Sequence, residues 1–268
     1  GEVPSGASIL VAGVDVQDNR LAVGLYAYGA GEECWLISHT EIYGDPAGQK
    51  LWDQVDDLVL RDYPHANGGR VKVSAIGVDS GGHFTSEVYA YARSRKGKAV
   101  FALKGSSIRN KPPIGKPSKV DINYKGQVLK NSAEVFSIGT DTIKSTLFGR
   151  LKHNEPGAGF IHFYAEAGQE YFRQLTAERQ VVRYVKGFAV REWKKKAGDR
   201  NEALDCFVYS YAALHFLYMR FNRNTIFDQF EKVRVSAKQE PAEKPVESGY
   251  RPPQRRLQRQ PQSFVTSW

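Results

Sequence analysis

The sequence predicts an α/β fold, a β-sheet of mixed strand direction flanked by helices. Three observations lead there. Residues 8–16, 20–28 and 33–41 are apolar runs joined by short polar turns, the pattern of an antiparallel meander. From residue 46 onward helical and strand patterns alternate, as crossover units require. A long, strongly apolar helical segment at about 200–219 closes the series.

In the meander, "QDN" and "GAGEE" are the turns. Leu51, Trp52, Val55, Leu58 and Val59 then recur at helical spacing, which predicts a helix over roughly 46–62. "VKVSAIGVDSGG" reads as a strand that stops at its glycines, followed by the helix "TSEVYAYARSR" with Thr85 or Ser86 as its candidate N-cap. "KAVFALKG" is a further strand, and "SSIRNKPPIGKPSKVDINYKGQ" a long flexible Gly/Pro/Lys loop with room for a short hairpin. The strand "AEVFSIGTD", the helix "TIKSTLFGRL", the short segments "GFIHFY" and "EYFRQLTAE" and a hairpin-like "RQVVRYVKGFAVREWKK" precede the last helix. This organisation assigns residues 1–230 to one domain. Residues 231–268, rich in Pro, Gln and Arg and ending in "SFVTSW", form an extended basic tail with a candidate docking peptide at its end.

The net charge of +9 is unevenly placed. Residues 91–130 hold eleven Lys/Arg against Asp121, a local balance of +10, so the rest of the chain sums to about −1. That concentration favours a polyanion partner, most simply nucleic acid, over a merely solvated face. Lys104, Arg109, Lys111, Lys116 and Lys119 on the long loop are the candidates for gripping a phosphate backbone, with Lys144 in the following helix as a further one. No run of about 18 apolar residues predicts a membrane span. Two cysteines, Cys34 and Cys206, suit a reducing compartment and form no zinc spacing.

Three acids occupy unusual positions. Asp15 ends the first strand, Asp79 ends "AIGVD", and Asp205 borders the apolar stripe of the last helix. Each has an ordinary reading: an Asx-turn for Asp15, a helix cap for Asp79, a structural ion pair for Asp205. Together they suit another chemistry. Phosphodiester hydrolysis by two divalent ions needs a few carboxylates held on rigid elements, and Mg²⁺ or Mn²⁺ takes such hard oxygen ligands. Glu202, one helical turn before Asp205, is either a further ligand or a helix-start acid favoured by the dipole. His83 after "SGG" is a candidate proton-transfer group. Asp18 and Asp199 read as surface or turn residues.

"AGVDVQDNRL", "IGVDSGGHFTSEVYAYAR", "ALKGSS", "IGTDTIKSTLFGRL", "YFRQLTAE" and "RNEALDCFVYSYAA" occur in this order, over about residues 8–219. The series resembles the C-terminal nuclease domain of the large terminase subunit of tailed phages, in its lambda-like branch. The resemblance implies an RNase H-like fold, related to RuvC resolvases and retroviral integrases, with Asp15 and Asp79 on adjacent strands. It implies that Asp15, Asp79 and Asp205 are the catalytic acids binding two Mg²⁺ or Mn²⁺ ions, and that double-stranded concatemeric DNA is cut during packaging in the host bacterial cytoplasm. The small terminase subunit, and a portal or procapsid reached through the C-terminal tail, are the implied partners. A resolvase or transposase on the same fold, or a docking module with latent cleavage, are the alternatives. No G-x-x-x-x-G-K-[ST] loop occurs, since "GDPAGQK" and "PIGKPSK" have the wrong spacing. With the missing initiator Met, that absence leads to the expectation of an excised nuclease half.

Overall fold

In the computed structural model, which describes residues 1–124 and 127–239, the meander forms as read. Strands β1 (Ala7–Val16), β2 (Arg20–Gly29) and β3 (Cys34–Tyr43) pair antiparallel in sequence order. Helix α1 (Gln49–Val59) is shorter at both ends than its apolar spacing predicts. A turn at Asp45–Gly48 precedes it, held by the Trp52 indole donating to the Pro46 carbonyl at 2.8 Å. After it, β4 (Asp62–Pro64) leaves the helix to pair with β5 (Arg70–Asp79). Helix α2 (Thr85–Ser94) and β6 (Val100–Gly105) follow.

The chain next forms β7 (Pro117–Tyr124), β8 (Gln127–Ile138), α3 (Thr140–Arg150), the short β9 (Ile161–His162) and α4 (Gln169–Leu175). Strands β10 (Glu178–Val185) and β11 (Phe188–Lys195) make a separate two-stranded hairpin. Helices α5 (Glu202–Tyr218) and α6 (Ile226–Gln239) come last. Among the described residues the main sheet runs β7-β8-β6-β5-β1-β2-β3-β9, with β4 attached to β5. Strands β1, β5, β6 and β8 are mutually parallel and the meander antiparallel, so the sheet is mixed and helices cover both faces. This is the predicted fold class, and it is compatible with an RNase H-like nuclease fold.

The period of two along β1 sorts its side chains between two cores. Leu10, Ala12, Val14 and Val16 pack with α1 and α2 on one face. Ile9 and Val11 pack on the other, with α3, α4 and α5. Each fully buried Leu, Ile or Val contributes about 1.5–3 kcal/mol. Helix α5 is buried on nearly every side, which its apolar composition requires. It lies directly on the sheet because Gly24, Gly13 and Gly77 stand side by side in register on β2, β1 and β5. A Cβ at Gly13 would sit 2.0 Å from the Cys206 carbonyl oxygen, and one at Gly77 2.9 Å from that of Tyr209. The row is a trough for the helix backbone.

Two segments differ from the sequence reading. The second half of the long loop is the edge strand β7, whose alternation Lys119, Val120, Asp121 is masked by the surrounding Pro and Lys. Its first half is anchored rather than flexible. Ser106 N–H donates to the Ile138 carbonyl, Asn110 N–H to Asp141, and Thr142 Oγ1 to the Lys111 carbonyl, at 2.9, 3.1 and 2.7 Å. Helix α6 spans the boundary placed at residue 230, packing Ile226 into the α5 core and burying Arg234 against Glu231 and the Gly68 carbonyl. Residues 240–268 of the tail, with "SFVTSW", lie outside the described residues.

Candidate active site

Asp15 and Asp79 each stand one residue beyond the parallel pair Val14–Val78, so they end adjacent strands side by side. Both share the sheet face of Gly13 and Gly77, because each lies two residues further along its strand. That is the face α5 covers. Asp205, in the first turn of α5, precedes the Cys206 that rests on Gly13. The three carboxyls therefore meet where the helix start crosses the strand ends. Asp15 is 2 % exposed. Burial, then Asp205, then Asp79 push its pKa well above the usual carboxylate range, against one hydrogen bond from Gln17 Nε2 at 2.7 Å. Burial likewise lifts Asp205 to about 6 despite the opposing pull of Lys144, and raises Asp79 against donation from the Gly81 amide and the Tyr209 hydroxyl. Three carboxyls in one desolvated place disfavour one another's charge.

Buried partners hold this cluster in place. Lys144 Nζ lies 2.7 Å from Glu178 Oε1 and 3.4 Å from Asp205 Oδ1. Asn201 Nδ2 donates to the same Glu178 oxygen and to Asp205 Oδ2, both at 2.8 Å. Burial opposes the Lys144 charge, yet Asp205 and Glu178 keep its pKa above the ordinary lysine value. Glu202 is buried between Arg20 and Arg200, whose Nε donates to it at 2.8 Å, while Arg200 also meets Glu41 at 2.7 Å. Gln174 Oε1 accepts the Ala203 N–H at 3.2 Å, filling one of the donors left open at the start of α5.

These contacts place the candidate residues in different settings. Asp15, Asp79 and Asp205 come together. Glu202 adjoins them and adds to the field at Asp15, but its oxygens are engaged by two guanidiniums. Lys144 is no solvated phosphate grip: it is 12 % exposed and bound to carboxylates. His83 points to solvent and pairs with the equally exposed Asp18 at 2.9 Å. Arg109 lines a cleft of about 740 Å³ between the 106–110 loop, the start of α3 and the β10–β11 hairpin, with Lys144 and Glu178 also in its lining. Lys104, Lys111 and Lys116 are exposed nearby in the chain, whereas Lys119 lines a separate groove with Lys96 and Arg220. Glu178, Asn201, Gln17, Arg191 and Lys195 carry no spacing signal that singles them out.

Hard, anionic oxygen donors on rigid backbone fit a divalent ion, and carboxyls raised in pKa by burial and by one another would be relieved by its charge. The ligand set is not drawn closed, for among the described residues no three acidic, His or Cys groups are grouped tightly enough to hold an ion as they stand. Among the described residues no helix is long and apolar enough to cross a membrane.

The family model described as the endonuclease domain of the terminase large subunit gpA matches residues 1–225. The chain is 34 % identical over 228 residues to the large terminase subunit of Escherichia phage lambda, and 32 % identical over 227 residues to that of Enterobacteria phage P21. Each alignment covers 82 % of this chain and 34 % of the relative, so the chain spans about a third of the length of these curated relatives. No solved structure matches the chain significantly.

Proposed function

The chain belongs to the gpA endonuclease-domain family of terminase large subunits, and on that premise we propose that it is a metal-dependent endonuclease cutting concatemeric double-stranded viral DNA during packaging. The observation that carries the reading is the meeting of Asp15, Asp79 and Asp205 at the ends of β1 and β5 beneath the start of α5. These three would hold Mg²⁺ or Mn²⁺, with Glu202 at the margin of the set. Two such ions, when bound, lower the pKa of an attacking water and stabilise the departing oxygen.

The chain's own residues do the rest. Gln17 orients Asp15, and Asn201 and Lys144 fix the two oxygens of Asp205. Arg20 and Arg200 pair with Glu202 and hold it beside the cluster. Arg109, Arg191 and Lys195 line the adjoining cleft and supply cations for phosphate oxygens. The small terminase subunit and the portal, the latter reached through residues 231–268, are the proposed partners, and the host bacterial cytoplasm the proposed setting. A plasmid-nicking assay with Mg²⁺ or Mn²⁺ tests the reading. Asp15→Asn, Asp79→Asn and Asp205→Asn should each abolish nicking. Undiminished nicking by Asp15→Asn or Asp79→Asn would overturn the assignment.

A further inference from the structure

The β10–β11 hairpin stands off the main sheet, and its two faces are unlike. Cross-strand pairing sets Gln180 opposite Trp193, Val182 opposite Arg191 and Tyr184 opposite Ala189, all on the face that begins with Glu178 and Lys195. The inner part of that face forms one wall of the 740 Å³ cleft. The outer part continues past the cleft with Val182 and Tyr184, which are 56 % and 74 % exposed. Trp193 packs on Phe148 with centroids 4.6 Å apart and ring planes tilted by 38°, and its buried indole N–H has no acceptor among the described residues. Residues 178–195 carry six Arg/Lys against Glu178 and Glu192, and the 104–119 segment carries five Lys/Arg and no acid. An aromatic and apolar strip lying in a cationic setting thus runs from solvent to Glu178, which shares Asn201 and Lys144 with Asp205.

We propose that this face is a track for one unpaired strand of DNA, delivering it to the carboxylate cluster; the proposal rests on the nuclease reading above. A duplex presents phosphates outward and keeps its bases stacked inside, so it gains little from an exposed tyrosine. An unpaired strand offers base faces, and base–aromatic stacking next to an arginine is how sequence-tolerant single-strand binding is built. The cleft is of the size of a small-molecule site, which suits one or two nucleotides of a single strand and not the width of a duplex. Tyr184 and Val182 hold bases, and Arg191 and Arg109 face the phosphates.

Fluorescence anisotropy of the 1–268 chain in EDTA, with a labelled 12-nucleotide oligo(dT) and a mixed-sequence 12-base-pair duplex, tests the proposal. Tyr184→Ala should weaken oligo(dT) binding about 10-fold and leave duplex binding within about 2-fold, while Tyr184→Phe retains both. Arg191→Ala should lower the slope of log affinity against log salt for oligo(dT) by about 0.7, the contribution of one phosphate contact. Absent oligo(dT) binding by the wild type, an unchanged affinity in Tyr184→Ala, or an equal loss for both probes would each overturn it. Because no dication is present, a chain that fails to nick plasmid yet shows the Tyr184 effect refutes only the nuclease reading. A chain that nicks plasmid while Tyr184→Ala binds oligo(dT) normally refutes only the track.

Discussion

Lys144→Met removes the cation that lies between Glu178 and Asp205, and the structure allows the consequence to be sized. The three side chains are 12, 7 and 20 % exposed. Taking one partner from a buried ion pair costs about 3–5 kcal/mol, because the charge left behind stays desolvated. Asp205 keeps some exposure and Asn201 still donates to both acids, which places the loss near the low end, about 3 kcal/mol at pH 7.5. That is a large share of the roughly 5–15 kcal/mol that stabilises a typical protein. Asp205 protonates at about 6, so at pH 5 the lysine faces one ionised acid fewer and the loss should shrink to about half. Urea unfolding of wild type and variant at both pH values measures the difference. Lys144→Met combined with Glu178→Gln should regain part of the loss at pH 7.5. A loss below about 0.5 kcal/mol at pH 7.5, or one that does not change with pH, would show that the ammonium is not holding the two carboxylates together.

Two further perturbations probe the scaffold. Gly13→Ala drives a methyl onto the Cys206 carbonyl, so it should destabilise by at least about 3 kcal/mol, more than a flexible contact would demand, and a Tm within a degree of wild type would refute the helix seat. Glu32 is buried against solvent, yet hydrogen bonds from Arg150 and Tyr211 and the charge of Arg223 lower its pKa from 4.5 to about 2. The unfolded chain therefore binds the proton first, and the stabilisation, about 3 kcal/mol when fully present above pH 4.5, drains away as pH falls toward 2. Glu32→Gln should flatten that segment of the stability–pH curve, and a curve of unchanged slope would refute the assignment.

The parts of the fold governed by local chemistry were legible in the chain. Alternation in "ILVAGVDV" and "AIGVD" marks two strands and puts an acid at each end, and "ALDCFVYSYAA" can only be a buried helix. That β1 and β5 are neighbours depends on a crossover, which no local pattern records. Lys144 looks like any helical lysine until the fold sets it beside Glu178, 34 residues away. Glu178 itself gives no sign, since a buried acid is recognisable only through its partners. The sequence left room for a short hairpin where β7 lies but did not mark the strand itself, because Pro117 and the lysines around it carry the composition of a loop, which an edge strand tolerates. Helix α6 escaped because polar residues surround its few anchors, Ile226, Phe227 and Phe230.

The glycine row has a mechanical meaning for the carboxylate cluster. Where α5 rests on Gly13, main chain touches main chain, and no side chain lies between them to change rotamer or be compressed. The height of Asp205 above Asp15 is thus a dimension of the backbone, as fixed as the thickness of a washer. The wall of the adjoining cleft is held differently, by Trp193 on Phe148, Arg109 near Glu192 and Lys195 on Asn201. One side of the site is thus set by main chain against main chain, and the neighbouring one by side-chain contacts alone.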